Sequence, residues 1–103
     1  MVSQATTPER LLELIAAVMP ELRRMGVTRL GIFGSRARGD SRPDSDLDVL
    51  LTLEPGRDLV DLVAIRDRLQ EIFSLRVDVV TPSGLAPRCR AAILRDALYA
   101  TER

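Results

Sequence analysis

The sequence predicts an α/β or α+β sandwich, with helices packed on one small mixed sheet. Short apolar runs of strand length (TRLGIF, DLDVLLTL, LRVDVVT) alternate with stretches whose apolar residues recur at helical spacing. Turn residues separate most of these runs, as in Glu54-Pro55-Gly56 and Pro82 to Pro87. A length of 103 residues fits one domain, 1–103, around one core. The expected order is α-β-α-β-α-β-α, counting a helical turn inside the first long loop.

Met1 to Thr6 reads as a loose leader. Thr7-Pro8-Glu9 starts a helix, with a capping hydroxyl, proline in the first turn and an acid near the positive helix end. Leu11, Leu14, Ile15 and Val18 continue it. Pro20 is expected to kink or split the helix, with Glu21 to Met25 as a further turn or two and Gly26 as the stop. Thr28 to Phe33 is the first strand. Gly34 to Ser45 combines two Gly, three Ser, one Pro, three Arg and two Asp, the chemistry of a loop with one helical turn. Asp46 to Leu53 is the second strand. Asp58 to Phe73 is an amphipathic helix, and Leu75 to Thr81 the third strand. Arg88 to Ala100 is the expected last helix, offering Ala92, Ile93, Leu94 and Leu98 to the core.

At 46% apolar and 29% charged, the chain has the balance of a soluble globular domain. Phe33, Phe73 and Tyr99 are its aromatics, so the core must be built of Leu, Val, Ile and Ala. The formal net charge is zero, which leaves no global field to draw the protein onto nucleic acid. All basic residues are arginine, a residue suited to phosphate recognition. The absence of histidine excludes a Ser-His-Asp triad and a histidine general base. Cys89, the single cysteine, excludes an intramolecular disulfide and a cysteine-based zinc site. No signal-like or membrane-length apolar run is present. A cytoplasmic protein is the expectation.

Three aspartates fall inside predicted strands, where Asp is disfavoured. Asp46 and Asp48 are two apart and so share a strand face, with Leu47 and Val49 on the other. Asp78 interrupts LRVDVV in the same way. Were the second and third strands neighbours, all three carboxylates would converge. Two like charges about 4 Å apart repel by roughly 4 kcal/mol at an effective dielectric near 20. A shared proton or bound cations relieve such a cluster, and hard oxygen ligands suit Mg²⁺. Alternatively Asp46 caps the loop, and Asp48 and Asp78 lie at exposed strand edges.

Gly34-Ser35 stands where the first strand ends. Glycine lets a ligand approach the main chain, and a following helical turn with the Ser35 hydroxyl forms a cradle for phosphate oxygens. Arg36, Arg38 and Arg42 place positive charge beside it. Ten residues separate Ser35 from Asp46. One element would hold a triphosphate, the other the metals that bridge to it.

The stretch Gly31 to Leu51, GIFGSRARGDSRPDSDLDVLL, resembles the signature of the DNA polymerase β-like nucleotidyltransferase superfamily, and within it the minimal (MNT-domain) nucleotidyltransferases. The resemblance implies the polymerase β-like fold and extends over most of the chain. By position, Gly34 and Ser35 match the nucleotide-phosphate contacts. Asp46 and Asp48 match the two principal metal ligands. Asp78 matches the third carboxylate, which helps deprotonate the incoming hydroxyl. Arg38 matches a basic position that either faces phosphate or pairs with a loop Asp. The resemblance further implies Mg²⁺, in two ions, and ATP as donor. It implies a partner as well: many relatives are MntA-type antitoxins of HEPN/MNT pairs, which transfer AMP to a tyrosine of a helical HEPN ribonuclease toxin.

Aminoglycoside nucleotidyltransferases also resemble it but carry additional helical parts. The chain ends 25 residues after Asp78, so no acceptor pocket of its own is expected. A binding-only antitoxin and a small-molecule nucleotidyltransferase completed by dimerisation are the rival expectations. Direct nucleic-acid binding is not expected. The apolar residues left at the surface would serve a homo- or hetero-oligomer contact. Asp58, Asp61 and Asp67 read as a solvated face, Cys89 as buried or inert, and Tyr99 as a packing or surface residue. Pro43 and Ser45 read as shaping the entry to the second strand.

Overall fold

A computed structural model describes residues 7–42 and 44–100, so the leader at Met1 to Thr6 and the role expected of Pro43 lie outside the described residues. Helix α1 (Pro8–Arg24) opens on Thr7, whose hydroxyl accepts from the Arg10 N–H at 3.1 Å. Leu11, Ile15, Met19 and Leu22 form its buried stripe. The expected split at Pro20 does not occur. Pro20 lies on the outer side of the helix beside Arg10, Glu13 and Ala17, where water can take the Ala16 carbonyl that a proline leaves unbonded. Met19 and Leu22 anchor the turn from the inside.

Strand β1 (Val27–Phe33) leads into a five-residue helix α2 (Gly34–Arg38), the turn anticipated in the first loop. Strand β2 (Leu47–Leu53) begins one residue later than expected, which leaves Asp46 just outside it. Helix α3 (Leu59–Phe73) follows, with Asp58 as its cap. Asp58 and Asp61 are more than a solvated face. The Asp58 carboxylate accepts from the Asp61 N–H at 3.2 Å, and the Asp61 carboxylate accepts from the Asp58 N–H at 3.0 Å, closing a reciprocal capping box. Strand β3 (Val77–Val80) is shorter than Leu75 to Thr81.

The C-terminal segment departs most from expectation. Helix α4 (Pro87–Asp96) stops four residues early, and Leu98–Tyr99 form a short strand β4. None of the α4 residues is buried, and Leu94 and Leu98 are exposed, so this segment contributes less to the core than its apolar residues suggested. Tyr99 explains the ending. It pairs with Gly31 of β1, where the missing side chain admits its ring, and the Arg29 guanidinium lies 3.7 Å from the ring centroid.

The sheet order is β3-β2-β1-β4, mixed as expected: β1 is antiparallel to β2 and β4, while β2 and β3 are parallel. Leu47, Val49 and Leu51 of β2 join Leu30 and Ile32 of β1 in the core with α1 and α3. Strand alternation then turns Asp48 to the opposite face. Across the helical layer the Arg68 guanidinium pairs with Glu21, tying α3 to α1.

Candidate active site

The parallel register of β2 and β3 sets Leu47 against Val77 and Asp48 directly against Asp78. Both aspartates alternate with buried neighbours, so both point away from the helical layer. The convergence anticipated for the second and third strands is therefore present for this pair. Asp46 sits two residues before Asp48, with its carboxylate 3.9 Å from the Arg76 guanidinium.

Gly34 closes the site from the other side. Phe33, the last residue of β1, is in register with Asp48, so the start of α2 lies beside that aspartate. Gly34 has φ +75°, and a Cβ there would stand 2.2 Å from Asp48 Oδ2. Only glycine permits both the torsion and the contact. The Asp48 carboxylate consequently overlies the Gly34-Ser35 turn. The Ser35 carbonyl accepts from the Gly39 and Asp40 N–H groups at 2.9 and 3.1 Å, which ends α2. The first N–H groups of that helix have no partner within it, as at any helix start.

The arginines separate by role. Arg36, read from sequence as charge beside the phosphate cradle, is instead only 3% exposed. Its Nε and Nη2 donate to the Ser45 carbonyl at 3.1 and 2.8 Å. Ser45 also exchanges hydrogen bonds with Arg42: its Oγ accepts from the Arg42 N–H at 2.8 Å, and its N–H donates to the Arg42 carbonyl at 3.0 Å. Arg36 thus clamps the backbone immediately before Asp46 to α2. Nothing local in the sequence separates Arg36 from Arg38 and Arg42, because its direction depends on how the loop closes. Arg38 donates from Nε to Asp40 Oδ2 at 3.3 Å, the loop pairing that was one of its two expected roles. It still lies near enough to Asp48 to favour that carboxylate's charged form. Cys89 is exposed rather than buried.

Burial raises the Asp48 carboxyl above the ordinary aspartate range, and the charges of Asp78 and Asp46 raise it further; Arg38 partly offsets them. Among the described residues no three acidic or sulfur and imidazole side chains form a ready-made metal cage. Mutual repulsion and the Arg76 contact of Asp46 account for that spacing. The donor set nevertheless fits a hard divalent cation. It is all carboxylate oxygen, it carries unfavourable like charge, and Asp48 Oδ2 occupies the space that Gly34 leaves beside the Gly34-Ser35 turn.

The chain can be compared with known proteins on this geometry. The model of the nucleotidyltransferase domain family matches residues 13–100. The protein adenylyltransferase MntA of Thermococcus cleftensis is 35% identical over 94 residues, 90% of this chain and 95% of that one. A solved structure assigned as a minimal nucleotidyltransferase is 42% identical, covers 90% of this chain and 95% of its own, and superposes with a TM-score of 0.78. A complex of a tri-AMPylated Shewanella oneidensis HEPN toxin with an MNT antitoxin contains a chain 14% identical, with a TM-score of 0.63. That match covers 89% of this chain and 73% of the other, a likeness of fold. No helix among the described residues is long and apolar enough to cross a membrane.

Proposed function

This chain belongs to the nucleotidyltransferase domain family as a minimal nucleotidyltransferase, and on that premise we propose that it transfers AMP from ATP to a hydroxyl of a partner protein. The observation that carries the proposal is the register of Asp48 with Asp78 beside the Gly34-Ser35 turn. It supports the reading by bringing the Gly34-Ser35 turn and two carboxylates together in one small patch.

The Gly34-Ser35 turn and the start of α2 bind the triphosphate through backbone N–H groups and the Ser35 hydroxyl. Asp46, Asp48 and Asp78 would hold Mg²⁺, which supplies charge neutralisation on the phosphates. Asp78, exposed on β3, accepts the proton of the incoming hydroxyl. That oxygen forms its bond to the α-phosphorus as the bond to the bridging oxygen breaks, and pyrophosphate leaves. Arg36 keeps the Asp46 backbone at a fixed distance from the cradle, so orientation is built before substrate arrives.

The partner is a HEPN-type toxin and the acceptor a tyrosine. The name of the Thermococcus relative supports a protein acceptor, and the AMPylated HEPN toxin–MNT antitoxin complex supports a HEPN partner; the tyrosine follows from the family resemblance alone. Incubating the protein with α-³²P-ATP, Mg²⁺ and a HEPN protein encoded beside it tests the reaction. Label should appear on the HEPN protein with the wild type and fall at least about 100-fold with Asp48→Asn, the scale of losing a group that stabilises transition-state charge. Neutralisation of the toxin without any label would replace transfer by occlusion. Label on an aminoglycoside and on no protein would move the acceptor to small molecules.

A further inference from the structure

We propose that the outer edge of β3 is the acceptor-docking strand. An extended segment of the partner protein adds there to the sheet, its hydroxyl residue on the Asp48/Asp78 face and its immediate neighbours, apolar, in a groove against α3. Nucleotidyl transfer at those aspartates is the premise, and the inference names the local chemistry of the acceptor.

Strand β3 ends the sheet. Because the Leu47 N–H bonds the Arg76 carbonyl at 2.8 Å, Arg76 and Asp78 direct their backbone groups to β2, and Val77 and Val79 direct theirs outward. The Val77 N–H is already taken by Gln70 Oε1 at 3.1 Å. The Val79 N–H and the Val77 and Val79 carbonyls remain for an incoming strand. Exposed edges of this kind are templates for strand addition.

The flank of this edge is aliphatic apart from one guanidinium. A cavity of about 270 Å³ lies between Leu59, Leu62, Val63 and Arg66 of α3 and Val77 and Val79 of β3, and reaches Asp78; the Arg66 guanidinium pairs with Asp67. Leu59 and Val60 are 71% and 75% exposed. With Val63 they are three of the five exposed large hydrophobic residues among those described, and they crowd one edge. Val77 and Val79 face the α3 side and Asp78 the other, so the two sides of an added strand meet different chemistry. A residue facing Asp78 would have both of its chain neighbours facing the groove. The acceptor is thus an apolar–hydroxyl–apolar sequence in extended form. A second copy of this chain fits less well: antiparallel pairing of two β3 edges centred on the strand would oppose the two Asp78 carboxylates.

Two fluorescein-labelled peptides of equal composition test the pattern, one with the core Ser-Val-Tyr-Val-Ser and one with Val-Ser-Tyr-Ser-Val. By anisotropy the first should bind the wild type about tenfold more tightly, and Val63→Asp should remove that preference. Val60→Asp, checked for folding by circular dichroism alongside Val63→Asp, provides the second variant. Binding of a fluorescent ATP analogue should be unchanged in both. Equal affinity for the two peptides, or a preference that survives both variants, overturns the proposal. A wild-type dimer dispersed by Val63→Asp would overturn it in favour of self-pairing. The premise is judged separately. A wild type that binds the first peptide but labels no acceptor refutes transfer and leaves the docking edge standing; variants that label the HEPN protein as well as wild type refute the edge alone.

Discussion

Burial and two neighbouring carboxylates raise the Asp48 carboxyl, so the folded chain holds that proton more tightly than the unfolded chain does. Between the ordinary aspartate value and the raised one, folding takes up a proton. Stability from this group therefore increases as pH falls through the raised value, and the ionised carboxylate is a standing cost above it. With divalent cations removed by EDTA, Asp48→Asn should melt at a higher temperature than wild type at neutral pH, and the gap should close toward acid. A variant that melts lower at neutral pH would show that Asp48 is not electrostatically uncomfortable. Arg36 carries the opposite expectation. Arg36→Met leaves the Ser45 carbonyl without the two donors it has, at a cost of about 1–3 kcal/mol. Urea unfolding should register that loss. Hydrogen exchange at the Ser45 and Asp46 amides should accelerate and transfer should fall, whereas an equal loss of stability placed in α1 should leave that exchange unchanged.

At the level of elements, α1 remains continuous through Pro20, which makes proline a cost rather than a boundary. Pro20→Ala restores a donor for the Ala16 carbonyl and should stabilise the fold by about 1–3 kcal/mol, less the smaller entropy that proline removes from the unfolded chain. Chemical denaturation decides it, and a lower midpoint would mean that the proline ring makes contacts worth more than the missing bond. Helix α3 was legible because it buries a periodic apolar stripe that its own sequence displays, Ile65, Leu69 and Phe73, and strands β1 and β2 because they are short apolar runs bounded by turn residues. The Asp48/Asp78 pair was legible from period two in both strands. The end of the chain was not. Leu94 and Leu98 look like core residues locally, while β4 exists because Tyr99 finds Gly31 across the sheet. The inward turn of Arg36 was equally hidden, since its partner is a carbonyl nine residues away that only loop closure brings within reach.

For the molecule as a whole, the proposed function makes folding and ligand binding act on the same carboxylates. The sheet holds Asp48 and Asp78 side by side through backbone register, and Gly34 lets Asp48 reach the Gly34-Ser35 turn. The cluster costs stability in the absence of a counter-charge, so a cation and nucleotide that neutralise it must stabilise the folded state selectively. The unfolded chain cannot assemble the same donors, and binding to the native state alone adds RT ln(1 + [L]/Kd). At about a hundredfold excess over Kd that is roughly 2.7 kcal/mol, which in a domain of about 100 residues corresponds to a rise in Tm on the order of 10 °C. Mg²⁺ with a non-hydrolysable ATP analogue should raise the wild-type Tm on that scale and leave the Asp46→Asn/Asp48→Asn protein nearly where it began. Removing the metal with EDTA should return the wild type to its starting value. An equal rise in both proteins would place the nucleotide outside the carboxylate patch. A rise with the analogue alone, undiminished by EDTA, would leave the phosphate turn in place but assign the carboxylates a role without a cation.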